Sequence, residues 1–262
     1  MPVKRTVPVW RVGPGGAEHV VVEEAVVEIT LNGRTLVRAS CLPDSLEDFA
    51  LGFLASEGLI RDASAVASLD VSADRSKIAV GADVAPDLLV LFRERMAMSS
   101  GCGQGASGAA AGAPAVESDA RFSPEDLLER MKDLEHASAL FRETGGVHAA
   151  ALTDGKTLAA LAEDLGRHNA VDKVIGRCLR QGVPLGRLAL LSTGRVSADV
   201  CAKAARVGIP VVVSHGAVTS RAVELSLAAG IAVAGFARAH KMNIYTSPWR
   251  LGLADPPAPT AG

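Results

Sequence analysis

The stretch RLALLSTGRV SADVCAKAAR VGIPVVVSHG AVTSRAVELS LAAGIAVAGF, residues 187–236, decides the fold. Three short apolar runs, Arg187–Leu191, Pro210–Ser214 and Ile231–Phe236, alternate with two segments of helical periodicity, Ser197–Val207 and Thr219–Ala229. Strands that read as continuous hydrophobic runs are covered on both faces, and intervening helices are what covers them. The stretch therefore predicts an α/β sheet with helices on its faces.

Working outward toward the N-terminus, the pattern continues with strands over Val147–Leu152 and Thr157–Ala162 and a helix over His168–Arg180. Ahead of these, Ser123-Pro124-Glu125-Asp126 combines a cap, a first-turn proline and two acids, which predicts a helix running to about Phe141. Before it lies a Gly/Ala/Ser-rich segment, 99–122, expected to be a flexible loop because its small residues have nothing to pack. Residues 1–98 have a different texture. Two strands are expected over Val20–Arg38, joined at Asn32-Gly33, the strongest short hairpin signal. A helix follows Leu42-Pro43-Asp44, capped by Asp44 or Ser45 and ended near Gly58, with Leu46, Phe49, Ala50, Phe53 and Leu54 on its apolar face. Two further strands are expected within Val66–Val80 and a short helix over Pro86–Glu94. The expected organisation is thus a smaller α+β domain (1–98), the loop (99–122), an α/β domain (123–253) and a disordered Pro-rich tail (254–262).

The chain has 262 residues, of which 48% are apolar and only 3% aromatic, with a formal net charge of −2. That balance speaks against nucleic acid as a partner, since neither a cationic surface nor a set of stacking rings is supplied. Leu225–Ala237, the longest uncharged apolar run, is too short to span a bilayer, and the first residues lack the apolar core of a secretory signal; no membrane association and a cytoplasmic location are expected.

Candidate site residues collect where strands lead into helices, the edge at which open α/β sheets bind ligands. Three such junctions stand out: Glu163-Asp164-Leu165-Gly166-Arg167-His168-Asn169, Ser192-Thr193-Gly194-Arg195-Val196-Ser197, and Ser214-His215-Gly216-Ala217-Val218-Thr219-Ser220. Each has a glycine that lets backbone approach a ligand, and two add an arginine, so together they read as an anion site for a nucleotide or another phosphorylated cofactor. Asp164 or Asp172 is a candidate acceptor for a base or sugar. Taken singly, Asn169, Ser197 and Thr219 are equally readable as helix caps. His148 opens a strand where a zinc deaminase would place a ligand. The residue two positions on is Ala150, however, and no Cys-x-x-Cys pair follows, so neither a catalytic nor a structural metal is expected.

Four cysteines occur. Cys41, Cys178 and Cys201 fall at positions compatible with core packing. Cys102, in Ser99-Ser100-Gly101-Cys102-Gly103-Gln104-Gly105, has no acidic residue from Met96 to Val116 and has Arg93 and Arg95 upstream. That setting favours a thiolate, and hence a nucleophilic or sulfur-carrying role.

These residues carry a resemblance. Asn32-Gly33, Leu42-Pro43-Asp44, Gly52-Phe53-Leu54, Glu57-Gly58, Ser99-Ser100-Gly101-Cys102-Gly103, Thr144-Gly145-Gly146-Val147-His148-Ala149-Ala150, Glu163 through Lys173, Gly194-Arg195, Arg238 and Asn243-Ile244-Tyr245 resemble the formate dehydrogenase accessory sulfurtransferase family, FdhD, over nearly the whole chain. The resemblance implies a cytidine-deaminase-like three-layer α/β/α second domain without its metal. It also implies a sulfurtransferase that receives sulfur as a Cys102 persulfide from a cysteine desulfurase. The acceptor would be the molybdenum cofactor, in its bis-molybdopterin guanine dinucleotide form, of the formate dehydrogenase catalytic subunit. A homodimer is implied too. The junctions and the resemblance together give the residues expected to hold the cofactor: His148, Asp164, Gly166, Arg167, His168, Asn169, Asp172, Lys173, Gly194, Arg195, Ser214, His215 and Thr219. Many relatives carry Cys-Gly-x-Cys in the loop, whereas here Gly105 stands in the second position. The alternative is a cofactor-binding chaperone without covalent sulfur transfer.

Overall fold

Asn32 and Gly33 both adopt positive φ, 50° and 79°, and this tight turn joins strands β3 (Ala25–Leu31) and β4 (Arg34–Cys41). The Asn32 side chain also exchanges two hydrogen bonds with the backbone of Ala82, at 2.9 and 3.0 Å, which pins the hairpin to strand β6 (Lys77–Ala82). With β5 (Val66–Val71) these make a four-stranded sheet of order β4-β3-β6-β5, and helix α2 (Pro86–Ala97) follows β6. The computed structural model describes residues 2–10, 12, 18–97 and 113–254.

Where two strands were expected over 20–38, three segments form. β2 (Glu18–Val22) separates from β3 and pairs antiparallel with β1 (Lys4–Pro8) in a ribbon of its own. Between them the Glu23 amide donates to the Val3 carbonyl, on the β1 side, and not to the four-stranded sheet.

The larger sheet has six strands in the order β12-β11-β10-β9-β7-β8. Its members are β7 (His148–Thr153), β8 (Leu158–Asp164), β9 (Ala189–Ser192), β10 (Val211–Ser214), β11 (Ala232–Arg238) and β12 (Lys241–Ile244). β9, β10 and β11 are parallel, β7 runs against β9, and β8 against β7. The carboxyl ends of β8, β9, β10 and β11 therefore meet at one edge, together with the start of β7. Alternation sorts the side chains. Ala150, Leu152, Leu190, Val212 and Val233 pack with α5 (Arg167–Arg180), α6 (Ala198–Arg206) and α7 (Ser220–Ala229), while Ala149, Ala151, Leu191, Val213 and Ala234 pack with Leu127, Met131 and Leu134 of α3 (Pro124–Ala137). With both faces covered, Val211, Val212 and Val213 are all fully buried, which is why their run is unbroken.

Two further differences from expectation have local causes. The helix from Ser123 does not reach Phe141 intact: Ser138 leaves helical geometry at ψ 75° with its hydroxyl bonded to the Leu134 carbonyl at 2.6 Å, and a separate helix α4 (Ala139–Thr144) follows. β12 was not foreseen. It is an edge strand of polar character whose inward residues alternate over only four positions, too few to register as a pattern.

Helix α1 (Leu46–Ser56) joins the two sheets. All the apolar positions foreseen for it are buried, but so are Leu51, Gly52, Ala55 and Ser56, because α1 lies between the four-stranded sheet and α5. The core is consequently continuous from Val27 and Ile29 through α1 to Val171 and Ile175. α1 and α5 cross with backbone against backbone: a Cβ on Gly52 would lie 1.7 Å from the Asp172 carbonyl oxygen, and one on Gly176 would lie 1.9 Å from that of Asp48. Gly52→Ala is expected to force the helices apart and cost about 2–3 kcal/mol, the upper part of the overpacking range. Thermal unfolding reads this as a drop of roughly 4–12 °C, and an unchanged midpoint would refute the close crossing. Neither Asp44 nor Ser45 caps α1 with its side chain. Asp44 pairs with Lys173 at 2.5 Å and the Ser45 hydroxyl accepts from Arg177 at 3.0 Å, so both are drawn to α5.

Candidate functional site

Three glycines let the junction loops stack along the edge. A Cβ on Gly194 would lie 2.8 Å from the Cβ of Arg167, one on Gly216 would lie 2.9 Å from the Arg195 nitrogen, and one on Gly235 would lie 3.0 Å from the Gly216 carbonyl. Ser214, fully buried, ties them from beneath: its hydroxyl donates to the Ser192 carbonyl at 3.0 Å, also contacts the Gly194 carbonyl, and accepts from the Gly216 amide at 2.9 Å. The Thr193 hydroxyl accepts from the Ala149 amide at 3.0 Å, which seats the second loop beside His148. The three junctions thus converge.

Their convergence concentrates cations. Arg167, at the first turn of α5, has its Nε buried with no hydrogen-bond partner, and burial and then Arg195 lower its pKa. Among the described residues neither Arg167 nor Arg195 forms an ion pair. Half-buried His148 is also pushed toward its neutral form, by burial first and then by Arg167 and Arg195. His168, whose Nε2 lies 3.4 Å from the Ser197 hydroxyl, is pushed down to about 3 by burial, with Arg167 and Lys203 adding to it. Charges that depress one another's protonation in this way are relieved by an anion placed among them.

Two recesses open at this edge and share His148. The smaller, about 230 Å³, is walled by Ser40, Gly166, Arg167, His168 and Asn169. The larger, about 560 Å³, adds Thr193, His215 and Gly216 from the loops, Arg238 from β11, and Glu135, Phe141 and Arg142 from α3 and α4. The contribution of α3 and α4 was not legible in the sequence, because a continuous helix to Phe141 would not turn at Ser138 to bring Glu135 and Phe141 to one recess.

Of the residues considered for cofactor binding, His148, Gly166, Arg167, His168, Asn169, Gly194, Arg195 and His215 are brought to this edge. Thr219 is exposed and caps α7 through the Ala222 amide at 3.3 Å. Asp164, Asp172 and Lys173 stand away from the recesses with their polar atoms engaged. Asp164 is the last residue of β8, not of a loop. It is fully buried and bonds the Leu42 and Gly166 amides, at 3.2 and 3.1 Å, the Asn169 amide group at 2.9 Å and Lys173 at 2.7 Å. Asp172 is held by Ser56 at 2.6 Å and Lys203 at 2.9 Å. These groups shape the turn into α5 and bind it to α1. Cys102 lies outside the described residues. Cys41, Cys178 and Cys201 are fully buried, as their core reading requires. No three His, Cys, Asp or Glu side chains gather as a metal-ligand set among the described residues, and no helix among them is long and apolar enough to cross a membrane.

The parallel strands of the sheet thus end in stacked glycine loops, with Arg167 and Arg195 beside two recesses. The particular family follows from comparison: residues 22–252 match the FdhD/NarQ family, and the chain belongs to it. It is 34% identical to the sulfur carrier protein FdhD of Bacillus subtilis over 93% of this chain and 95% of that one. It is 36% identical to the sulfur carrier protein FdhD of Wolinella succinogenes over 90% and 84%. A crystal structure assigned to a formate dehydrogenase accessory protein of Desulfotalea psychrophila superposes with a TM-score of 0.79 at 28% identity, covering 95% of this chain and all of that one.

Proposed function

We propose that this chain is a cytoplasmic sulfurtransferase that carries sulfur as a persulfide on Cys102. It takes the sulfur from a cysteine desulfurase and passes it to the bis-molybdopterin guanine dinucleotide form of the molybdenum cofactor, for formate dehydrogenase. The observation that carries the reading is the convergence of Arg167, Arg195 and His148 at one sheet edge, a cationic seat for the phosphates of a dinucleotide. Relatives named as sulfur carriers support the sulfur chemistry. The helix-covered six-stranded sheet is compatible with the cytidine-deaminase-like architecture that the resemblance implies, and a homodimer belongs to the same reading.

In the loading step the Cys102 thiolate attacks the outer sulfur of the desulfurase persulfide. A new S–S bond forms on Cys102, the donor S–S bond breaks, and the donor cysteine leaves as thiolate. Unloading cleaves the bond on Cys102 in the other sense. The outer sulfur becomes sulfide and Cys102 returns to thiolate, which takes up two electrons from the molybdenum itself or from an external thiol. With Gly105 in place of a second loop cysteine, an internal disulfide with that position cannot supply them.

Incubation with a cysteine desulfurase and cysteine should add one sulfur atom to the peptide carrying Cys102, read by mass spectrometry. Sulfur on Cys178 or Cys201 instead would overturn the assignment. The anion seat has its own test. Arg167→Ala is expected to weaken binding of GDP, a fragment of the proposed cargo, by roughly tenfold, the worth of one charge-assisted contact. An unchanged affinity by calorimetry would remove Arg167 from the seat.

A further inference from the structure

Far from the nucleotide edge in sequence, helix α2 lays one face beside the β3–β4 hairpin. Pro86, Leu89, Val90 and Arg93, spaced as one stripe of a helix, face Arg34 and Leu36 of β4 across a groove of about 470 Å³. Phe92, 1% exposed, holds the helix in place by meeting Phe53 of α1 edge-on, with ring centroids 6.0 Å apart. The surface left outside is apolar: Val90 is 54% exposed and Leu91 50%. Arg34 and Arg93 stand on the two walls, both exposed, and among the described residues neither forms an ion pair. No acidic side chain is among the described residues that line the groove.

We propose that this groove is where the sulfur donor docks, and that the donor meets it with an apolar side chain flanked by carboxylates; this rests on the carrier role given to Cys102 above. Two observations choose the occupant. The first is composition. An apolar patch rimmed by arginine is the make-up of a protein–protein interface, and two unpaired cations over an apolar floor are complemented by acidic residues around an apolar anchor. The second is the covalent tether. α2 ends at Ala97, five residues before Cys102, and five residues span at most about 18 Å. A donor persulfide has to come to bonding distance of the Cys102 sulfur before sulfur can pass, so the protein that brings it must seat within that tether of α2. A donor held on the groove then presents its persulfide at the high effective concentration that a short tether gives.

Loading of the full chain by a cysteine desulfurase, followed by mass spectrometry as the desulfurase concentration is raised, tests this. Arg34→Glu combined with Arg93→Glu should raise the concentration that half-loads Cys102 by roughly tenfold or more, because it sets like charges face to face, and Val90→Asp should act in the same direction. All three positions are exposed, so the thermal midpoints should stay at the wild-type value. Inorganic polysulfide is a donor too small to need docking: the Cys102 thiolate takes its terminal sulfur and the shortened polysulfide leaves, and this should proceed equally in wild type and variants. Equal loading of all chains by the desulfurase would overturn the docking site and leave the carrier role in place. If the variants load equally but change their mass in solution by light scattering, the groove belongs to a second copy of the chain and the donor assignment falls. If the desulfurase puts no sulfur on Cys102 of the wild type, the carrier reading fails and the docking site with it.

Discussion

Replacing Cys102 with alanine is expected to abolish sulfur transfer completely, with no other thiol of the described chain able to take over. Cys41, Cys178 and Cys201 are each fully buried. Burial pushes their thiols up to about 12, 11 and 12, with Asp164 adding to the effect at Cys41. At neutral pH even the least shifted of them, at about 11, is ionised in roughly one part in ten thousand, and a thiol must be both ionised and reachable to attack a donor persulfide. The contrast lies in the surroundings. Cys102 sits in a run from Met96 to Val116 that has neither an acidic residue nor a large apolar side chain apart from Met96, Met98 and Val116. Cells carrying Cys102→Ala should produce formate dehydrogenase without activity, and the isolated variant should gain no sulfur from a desulfurase while binding GDP as the wild type does. Active formate dehydrogenase in such cells would replace the carrier by a chaperone that holds the cofactor without covalent chemistry. Sulfur found on Cys178 would require a local opening of α5 of which the packed structure gives no sign.

The sequence is most legible where one short-range signal decides an element. Asn32-Gly33 specifies its hairpin by backbone sterics alone, and the runs around Leu190, Val212 and Val233 specify covered strands because nothing polar interrupts them. It is least legible where a side chain chose a distant partner over a local one. Asp44 and Ser45 were available as caps for α1, and α5 took both through Lys173 and Arg177. The same competition governs the site. Arg167 and Asp164 stand three residues apart in one motif, yet the arginine is left without an ion pair among the described residues while the aspartate spends every contact on Leu42, Gly166, Asn169 and Lys173. A motif locates the turn, but only the packing of α1 against α5 tells which of its polar residues are consumed in building it. Glu135 and Phe141 were invisible for a related reason, since their meeting depends on one break in the helix at Ser138.

That packing is where the second large effect is expected. Lys203 of α6 is only 3% exposed, and its ammonium lies 2.9 Å from Asp172 of α5, 3.0 Å from Glu57 at the end of α1 and 2.8 Å from the Ser56 hydroxyl. Burial alone would lower its pKa, but Asp172 and Glu57 raise it above the ordinary value. A raised lysine adds stability that is complete below its unfolded pKa and lost only as pH climbs through the raised one, so the contribution is intact at neutral pH. Lys203→Met removes the cation and leaves Asp172, 1% exposed, facing Glu57 without its counter-charge. Breaking a buried pair from one side costs about 3–5 kcal/mol, a fall of roughly 6–20 °C in thermal midpoint for a chain of this size. The sign of the pH dependence identifies the cause. Burial already holds Asp172 above the usual carboxylate range, with Lys203 pulling it back down. Without Lys203 the carboxyl shifts further upward. Its protonated form then carries stability that is complete below the unfolded pKa and is lost as pH rises through the folded one. The deficit of Lys203→Met relative to wild type should therefore widen between pH 5 and pH 8, and Lys203→Met combined with Asp172→Leu should recover most of it, because a matched apolar pair carries no buried charge. A deficit that is the same at both pH values, or one that the second substitution deepens, would mean that Lys203 stabilises by packing its stem against Phe53, 5.3 Å from the ammonium, and not by joining three helices through charge.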